Sequence, residues 1–284
     1  MTPPTEQARS VQDAFGVQGF GAMRLADGDT GDRDPVAVVH AALDAGVRMV
    51  DTAELYGNEE LVGRAIRPRR DDVLLATKFG VRIDPGLPQG YEVRAGPGHV
   101  RASCTASLRR LGVEVIDLYY LHHRSDEVPI EDTVGAMASL VEDGRVRAIG
   151  LSNVTAEDLR RACTVYPVAA LQEQWSLTER TLERELVPTA AHHGVTVVAH
   201  SPTGHGVLHG SGAGTALAAV AQRHGLTPGQ VALAWVHHRD AVHGVRVVPL
   251  PGTTSVVHAR QNVAAADVRL TPDDLRELGD TDAD

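Results

Sequence analysis

The chain has 284 residues, 43% of them hydrophobic, enough for one large core. Acidic residues outnumber basic ones, 37 to 27, giving a formal charge of −10 with no Lys/Arg run, which excludes a nucleic-acid backbone or an anionic membrane surface as partner. No apolar run is long enough to span a bilayer. The opening Met1-Thr-Pro-Pro-Thr-Glu-Gln7 lacks the basic and apolar regions of a secretion signal, and Cys104 and Cys163 fall far apart in predicted helices, so a cytoplasmic protein with reduced thiols is expected.

Residues 1–14 are polar and proline-bearing and predict a loose lead-in. A short strand follows at Val17–Met23, then the Gly/Asp-rich loop Ala26-Asp-Gly-Asp-Thr-Gly-Asp32 and a helix over Val36–Ala45. A strand at Val47–Val50 stops on Asp51, passes Tyr56, and enters a helix carrying Glu59, Glu60 and Leu61. From there the pattern repeats. Apolar strands end at Lys78, at His122, at Ser152-Asn153, at Gln172 and at His200-Ser201, with a helix after each. The last round has two helices, near Ala213–His224 and Pro228–His238, before a strand at Val245–Leu250 that runs out at Pro251-Gly252. Helices near Val256–Ala265 and from Thr271 close the chain.

Eight short strands that barely alternate with polar residues, each followed by a helical segment, predict a parallel sheet covered on both sides. With no linker composition anywhere, residues 15–284 read as one α/β domain, a (β/α)8 TIM barrel. An open doubly wound sheet is the competing architecture, but Gly19-x-Gly21 lacks the third glycine and the following helix of a dinucleotide turn.

A barrel gathers its strand exits at one mouth, and six of them here carry Asp51, Lys78, His122, Ser152-Asn153, Gln172 and His200-Ser201. Each has an ordinary explanation alone, as helix cap, solvated strand end or turn former. Jointly they turn the rim of a hydrophobic barrel into a hydrogen-bonding surface. A phenol is a poor acid at neutral pH, and a nearby ammonium improves it by stabilising the anion. Lys78 can supply that charge to Tyr56, Asp51 can hold Lys78, and His122 can orient a substrate oxygen. The assembly is a general acid for a developing alkoxide. It needs a hydride donor beside it, which side chains cannot provide, so a cofactor is implied.

The stretches Asp51-Thr-Ala-Glu-x-Tyr56-Gly, Ala76-Thr-Lys78, Asp117-Leu-Tyr-Tyr-Leu-His122 and Gly150-Leu-Ser-Asn153 resemble those of the aldo-keto reductases, over roughly residues 15 to 278. The resemblance implies Asp51, Tyr56, Lys78 and His122 as a catalytic tetrad, with Tyr56 the proton donor and the adjacent His123 without a role. It implies Ser152, Asn153 and Gln172 as the holders of a nicotinamide carboxamide. His200 stands where the family stacks a tyrosine on the nicotinamide ring, which suggests weaker and pH-dependent stacking. The turn Ser201-Pro202-Thr-Gly204-His-Gly206 matches the loop over the diphosphate. Gly252, Thr253, Thr254, His258, Gln261 and Asn262 match the adenosine-phosphate segment. Gly21 and Met23 complete the expected cofactor set, and Arg24, Tyr91 and Trp175 are the expected substrate residues.

NADP is the expected cofactor, with NAD possible because Gly252 and His258 replace the usual basic residues. The chain also passes from Gly210 straight into a helix, without the loop that many relatives place over the cofactor. Histidines 200, 205 and 209 have a metal-like spacing but no supporting carboxylate or cysteine pair, so no metal is expected. The resulting expectation is an oxidoreductase, an NAD(P)H-dependent aldo-keto reductase acting on a small-molecule aldehyde or ketone, serving in one version a narrow biosynthetic reduction. Two alternatives stand beside it: a cofactor-binding regulatory subunit without turnover, and a non-redox rearrangement enzyme on the same scaffold.

Overall fold

The computed structural model of the protein describes residues 6–209 and 214–279. In chain order, α1 (Glu6–Asp13) precedes β1 (Gly19–Gly21), α2 (Pro35–Asp44), β2 (Met49–Asp51), α3 (Glu59–Ile66) and β3 (Leu74–Phe79). A hairpin of β4 (Val81–Ile83) and β5 (Tyr91–Val93) follows, then α4 (Pro97–Leu111), β6 (Ile116–Leu121), α5 (Ile130–Glu142), β7 (Val146–Ser152) and α6 (Ala156–Val165). The chain continues through β8 (Val168–Gln174), α7 (Leu186–His193), β9 (Thr196–His200), α8 (Gly214–His224), α9 (Pro228–His243), β10 (Val247–Leu250), α10 (Val256–Ala264) and α11 (Pro272–Glu277).

Eight strands form one parallel sheet in the order β1-β2-β3-β6-β7-β8-β9-β10, the predicted (β/α)8 arrangement. Closure is made at the top, where the Gly21 amide of the first strand donates to the Pro251 carbonyl just beyond the last, at 3.0 Å. β3 and β6 are buried at every position, which explains their near-continuous apolar sequence: one side faces the barrel interior and the other the helices. Met49, Leu74, Ala76, Leu118, Tyr120, Val198 and Val248 pack inside the barrel. Val50, Leu75, Tyr119, Leu121, Ile149 and Val197 face the helical layer.

Within the lead-in, of which residues 1–5 lie outside the described residues, Glu6–Asp13 forms α1, and Val11 together with Phe15 joins the interior core from below. Gln12 fastens this floor by donating to the carbonyls of Ala169 and Gly194, at 3.0 and 2.8 Å. The segment between β3 and α4, for which the sequence reading gave no element, contains the antiparallel β4–β5 hairpin, with Val81 opposite Val93. The segment expected to pass directly from Gly210 into a helix includes 210–213, which lie outside the described residues.

Candidate active site

The site begins at the exit of β2. Asp51 is the last residue of that strand, paired with Gly21 on one side and Ala76 on the other. Beyond it the chain makes a 3-10 turn over Glu54–Tyr56 that ends on Gly57, whose φ of 68° favours glycine. Asn58 braces the turn by accepting from the Thr52 hydroxyl at 2.6 Å and donating to the carbonyls of Ala22 and Leu25 at 2.8 and 3.1 Å. Glu54 accepts from the Gly80 amide at 2.7 Å. Tyr56 is therefore held between the exits of β1 and β3. The positioning roles of Glu54 and Asn58 were not read from the sequence.

Lys78, on β3, is 1% exposed and forms an ion pair with Asp51, itself 2% exposed. The ammonium also donates to the Thr52 carbonyl at 3.0 Å and lies 5.2 Å from the centre of the Tyr56 ring. Burial works against its charge, but Asp51 and Tyr56 outweigh that and hold Lys78 above the usual lysine range. Asp51 feels the same burial, which pushes its carboxyl up, opposed by Lys78 and by Gln172, whose amide donates to it at 3.0 Å. Gln172 thus buttresses the ion pair as well as standing at the exit of β8.

His122 follows β6, and its ring meets Tyr56 edge-on with centroids 5.8 Å apart. Burial first, then the nearby Lys78, lowers it to about 3, so it is a neutral imidazole. Among the described residues its Nδ1, which is buried, has no hydrogen-bond partner. His200 at the end of β9 is likewise lowered to about 4 by burial and then by Lys78. This corrects the expectation of a pH-dependent ring there, since His200 stays neutral through the neutral range. His123 has work of its own: its Nε2 and the Tyr91 hydroxyl lie 3.1 Å apart, tying the β4–β5 hairpin to the β6 exit.

The remaining strand exits form a continuous edge. Ser152 is buried, and Asn153 donates to the His122 carbonyl at 2.9 Å and to Ser152 Oγ at 3.0 Å. Glu173 on β8 accepts from the Val154 amide at 3.0 Å, and burial lifts its carboxyl to about 7. Among the described residues, the only non-glycine residues with positive φ are Asn153, Ser201 and His205, all in loops of this edge. Such conformations cost free energy and gather where a loop must take a set shape. Pro202 is buried, and Gly204 and Gly206 turn with φ of 58° and 95°.

Across the closure, a Cβ at Gly252 would come within 2.6 Å of the Gly21 carbonyl, so the backbone there has no room for a side chain at position 252. Beyond it, Thr253 and Thr254 lead to Ser255, which caps α10 by accepting from the His258 amide. His258 is exposed at the start of α10, while Gln261 is half-buried and Asn262 buried farther along. These features suit a nicotinamide dinucleotide. A partnerless buried imidazole nitrogen lies at one end, a bare backbone rim runs along the middle, and a helix N-terminus suited to an anion stands at the other.

The expected substrate residues divide. Tyr91 is at the mouth, on the hairpin. Arg24 and Met23 are exposed on the β1 loop, with Arg24 donating to the His205 carbonyl at 3.1 Å. Trp175 is not a mouth residue: it is fully buried in the helical layer, its indole donating to Glu183 at 2.9 Å. Strand alternation accounts for this, because Gln172 faces the interior and a residue three positions on points to the opposite side.

Three solved structures resemble this chain over most of their length. An aldo/keto reductase from Klebsiella pneumoniae in complex with NADP and acetate is 32% identical, with a TM-score of 0.79, over 92% of this chain and 89% of that one. The glycerol dehydrogenase from Gluconobacter oxydans is 26% identical with a TM-score of 0.80, over 92% and 90%. The holo form of an aldo-keto reductase from Bacillus halodurans is 27% identical with a TM-score of 0.77, over 93% and 91%. The model of the Aldo/keto reductase family matches residues 19–282. With the buried ion pair at the barrel mouth, this coverage places the chain in the aldo/keto reductase family, as an NAD(P)H-dependent oxidoreductase.

Proposed function

We propose that the protein reduces an aldehyde or ketone to the alcohol, with hydride from a nicotinamide cofactor, NADPH by preference, and with Tyr56 as the proton donor. The observation that carries this reading is the buried Lys78–Asp51 pair set against the Tyr56 ring. NADPH, when bound, would be the two-electron reductant, its hydride going to the carbonyl carbon. As negative charge develops on the carbonyl oxygen, the Tyr56 hydroxyl gives up its proton to it, and Lys78 stabilises the phenolate left behind. Asp51 and the Thr52 carbonyl keep Lys78 aimed at the phenol. The neutral His122 faces Tyr56 across the same space and can donate its ring N–H to the oxygen, fixing the carbonyl between two donors.

In the same reading, Ser152, Asn153 and Gln172 hold the carboxamide and His200 packs on the nicotinamide ring. Residues 201–206 cover the diphosphate, with Gly21 and Met23 opposite. Gly252, Thr253, Thr254, His258, Gln261 and Asn262 take the adenosine end. The NADP in the Klebsiella pneumoniae structure supports the choice of cofactor. Arg24 and Tyr91 border the entrance and are the residues proposed to shape substrate choice.

Tyr56→Phe tests the assignment. Turnover of a small aldehyde is expected to fall by about 10²–10⁴. NADPH binding, read by fluorescence titration, should stay unchanged because the ring is kept. A variant with full turnover would remove Tyr56 from the mechanism.

A further inference from the structure

The loop between β1 and α2 reaches across to the adenosine end of the cofactor edge. Asp32, in a short 3-10 turn over Gly31–Arg33, accepts a hydrogen bond from the Ser255 hydroxyl at 2.9 Å. Ser255 is the residue that caps α10, so a carboxylate of the chain itself stands at that helix's N-terminus. Positions 252 and 258, on either side of Ser255, carry a glycine and a histidine rather than a lysine or an arginine. A lysine side chain cannot begin at position 252, because its Cβ would meet the Gly21 carbonyl at 2.6 Å. At position 258 an imidazole cannot form the two-pronged contact that a guanidinium makes with a phosphate.

We propose that Asp32 is a specificity-determining residue that disfavours the 2′-phosphate of the cofactor and narrows the preference for NADPH over NADH. The proposal rests on the cofactor placement given above. A 2′-phosphate beside Ser255 meets the Asp32 carboxylate as a like charge and must displace it from the hydroxyl. A free ribose 2′-hydroxyl carries no charge and can donate to the same carboxylate, as an acidic residue does in other dinucleotide sites. One oxygen atom of Asp32 therefore penalises one cofactor without penalising the other.

Fluorescence titration of the full chain with NADPH and with NADH tests this, on the wild type, Asp32→Asn and Asp32→Ala. Removing one screened like charge should tighten NADPH binding about tenfold in both variants. NADH binding should stay within about threefold, or weaken through loss of the acceptor. A change of equal size for both cofactors, or for neither, overturns the proposal while leaving the cofactor reading intact. Tighter NADPH binding in Asp32→Ala alone also overturns it, because loop release rather than charge would then be the cause. A wild-type protein that binds neither nucleotide overturns both.

Discussion

Replacing Lys78 by methionine removes the charge that, among the described residues, is paired with Asp51 in a site where both side chains are almost wholly buried. Asp51 keeps the hydrogen bond from Gln172 at 3.0 Å but loses its counter-ion. Breaking a buried pair by deleting one partner costs about 3–5 kcal/mol, because the remaining charge has to be desolvated alone or neutralised. Burial already pushes the Asp51 carboxyl up, and loss of Lys78 pushes it further. The native Asp51 of Lys78→Met then retains its proton to higher pH than in the unfolded chain. Stability is accordingly retained at low pH and lost as pH rises, so the deficit of Lys78→Met should be larger at pH 8 than at pH 5.

The double variant Asp51→Asn/Lys78→Met carries neither charge and should recover most of that loss. Urea unfolding of the cofactor-free protein, followed by circular dichroism, measures all four corners of the cycle. A loss below about 1 kcal/mol in Lys78→Met, or a double variant whose cost is the sum of the singles, refutes the argument that the pair is an obligatory, mutually compensating unit.

Two further outcomes follow from neighbouring positions. Glu173 is raised from 4.5 to about 7, so between those values the native chain holds a proton that the unfolded chain has lost. Its contribution is complete below the unfolded value and disappears as pH rises through about 7. Glu173→Gln, which keeps an acceptor for Val154, should match the wild type in urea at pH 4.5 and exceed it at pH 8 by up to about 3 kcal/mol; equal stability at both pH values would refute this. Gly150→Ala would place a Cβ 2.4 Å from the ring of Tyr120, which is fully buried beneath the site, and should cost about 1–3 kcal/mol in the same assay. A neutral substitution there would mean that the barrel interior has slack under Lys78.

Much of this molecule was legible before its structure. Runs such as Leu118-Tyr-Tyr-Leu121 are apolar on both faces because β6 is covered on both, and that is a local signature. The polar residues at the ends of those runs could be placed at one mouth because a barrel brings its strand exits together. Asp51, Tyr56, Lys78 and His122 were found in this way, and the structure sets them around one space. Less was legible where a side chain's direction or partner decides its role. Trp175 was assigned to the mouth by position, whereas strand alternation turned it into the helical layer. His200 was expected to titrate, whereas burial and Lys78 keep it neutral.

The sequence alone determined the repeat, the parallel sheet and the residue types at the strand exits, because apolar periodicity and strand ends are properties of neighbours in the chain. Tertiary structure decided what no local window contains. It set the charge state of Lys78, the bracing of Tyr56 by Asn58 and Glu54, and the closure of β1 on β10 that leaves no room for a side chain at Gly252. It also brought Asp32 to Ser255 across most of the chain's length. Desolvation, close backbone approach and contacts between distant residues come into being only when the barrel closes, which is why the candidate catalytic groups could be read from the chain and their energetics could not.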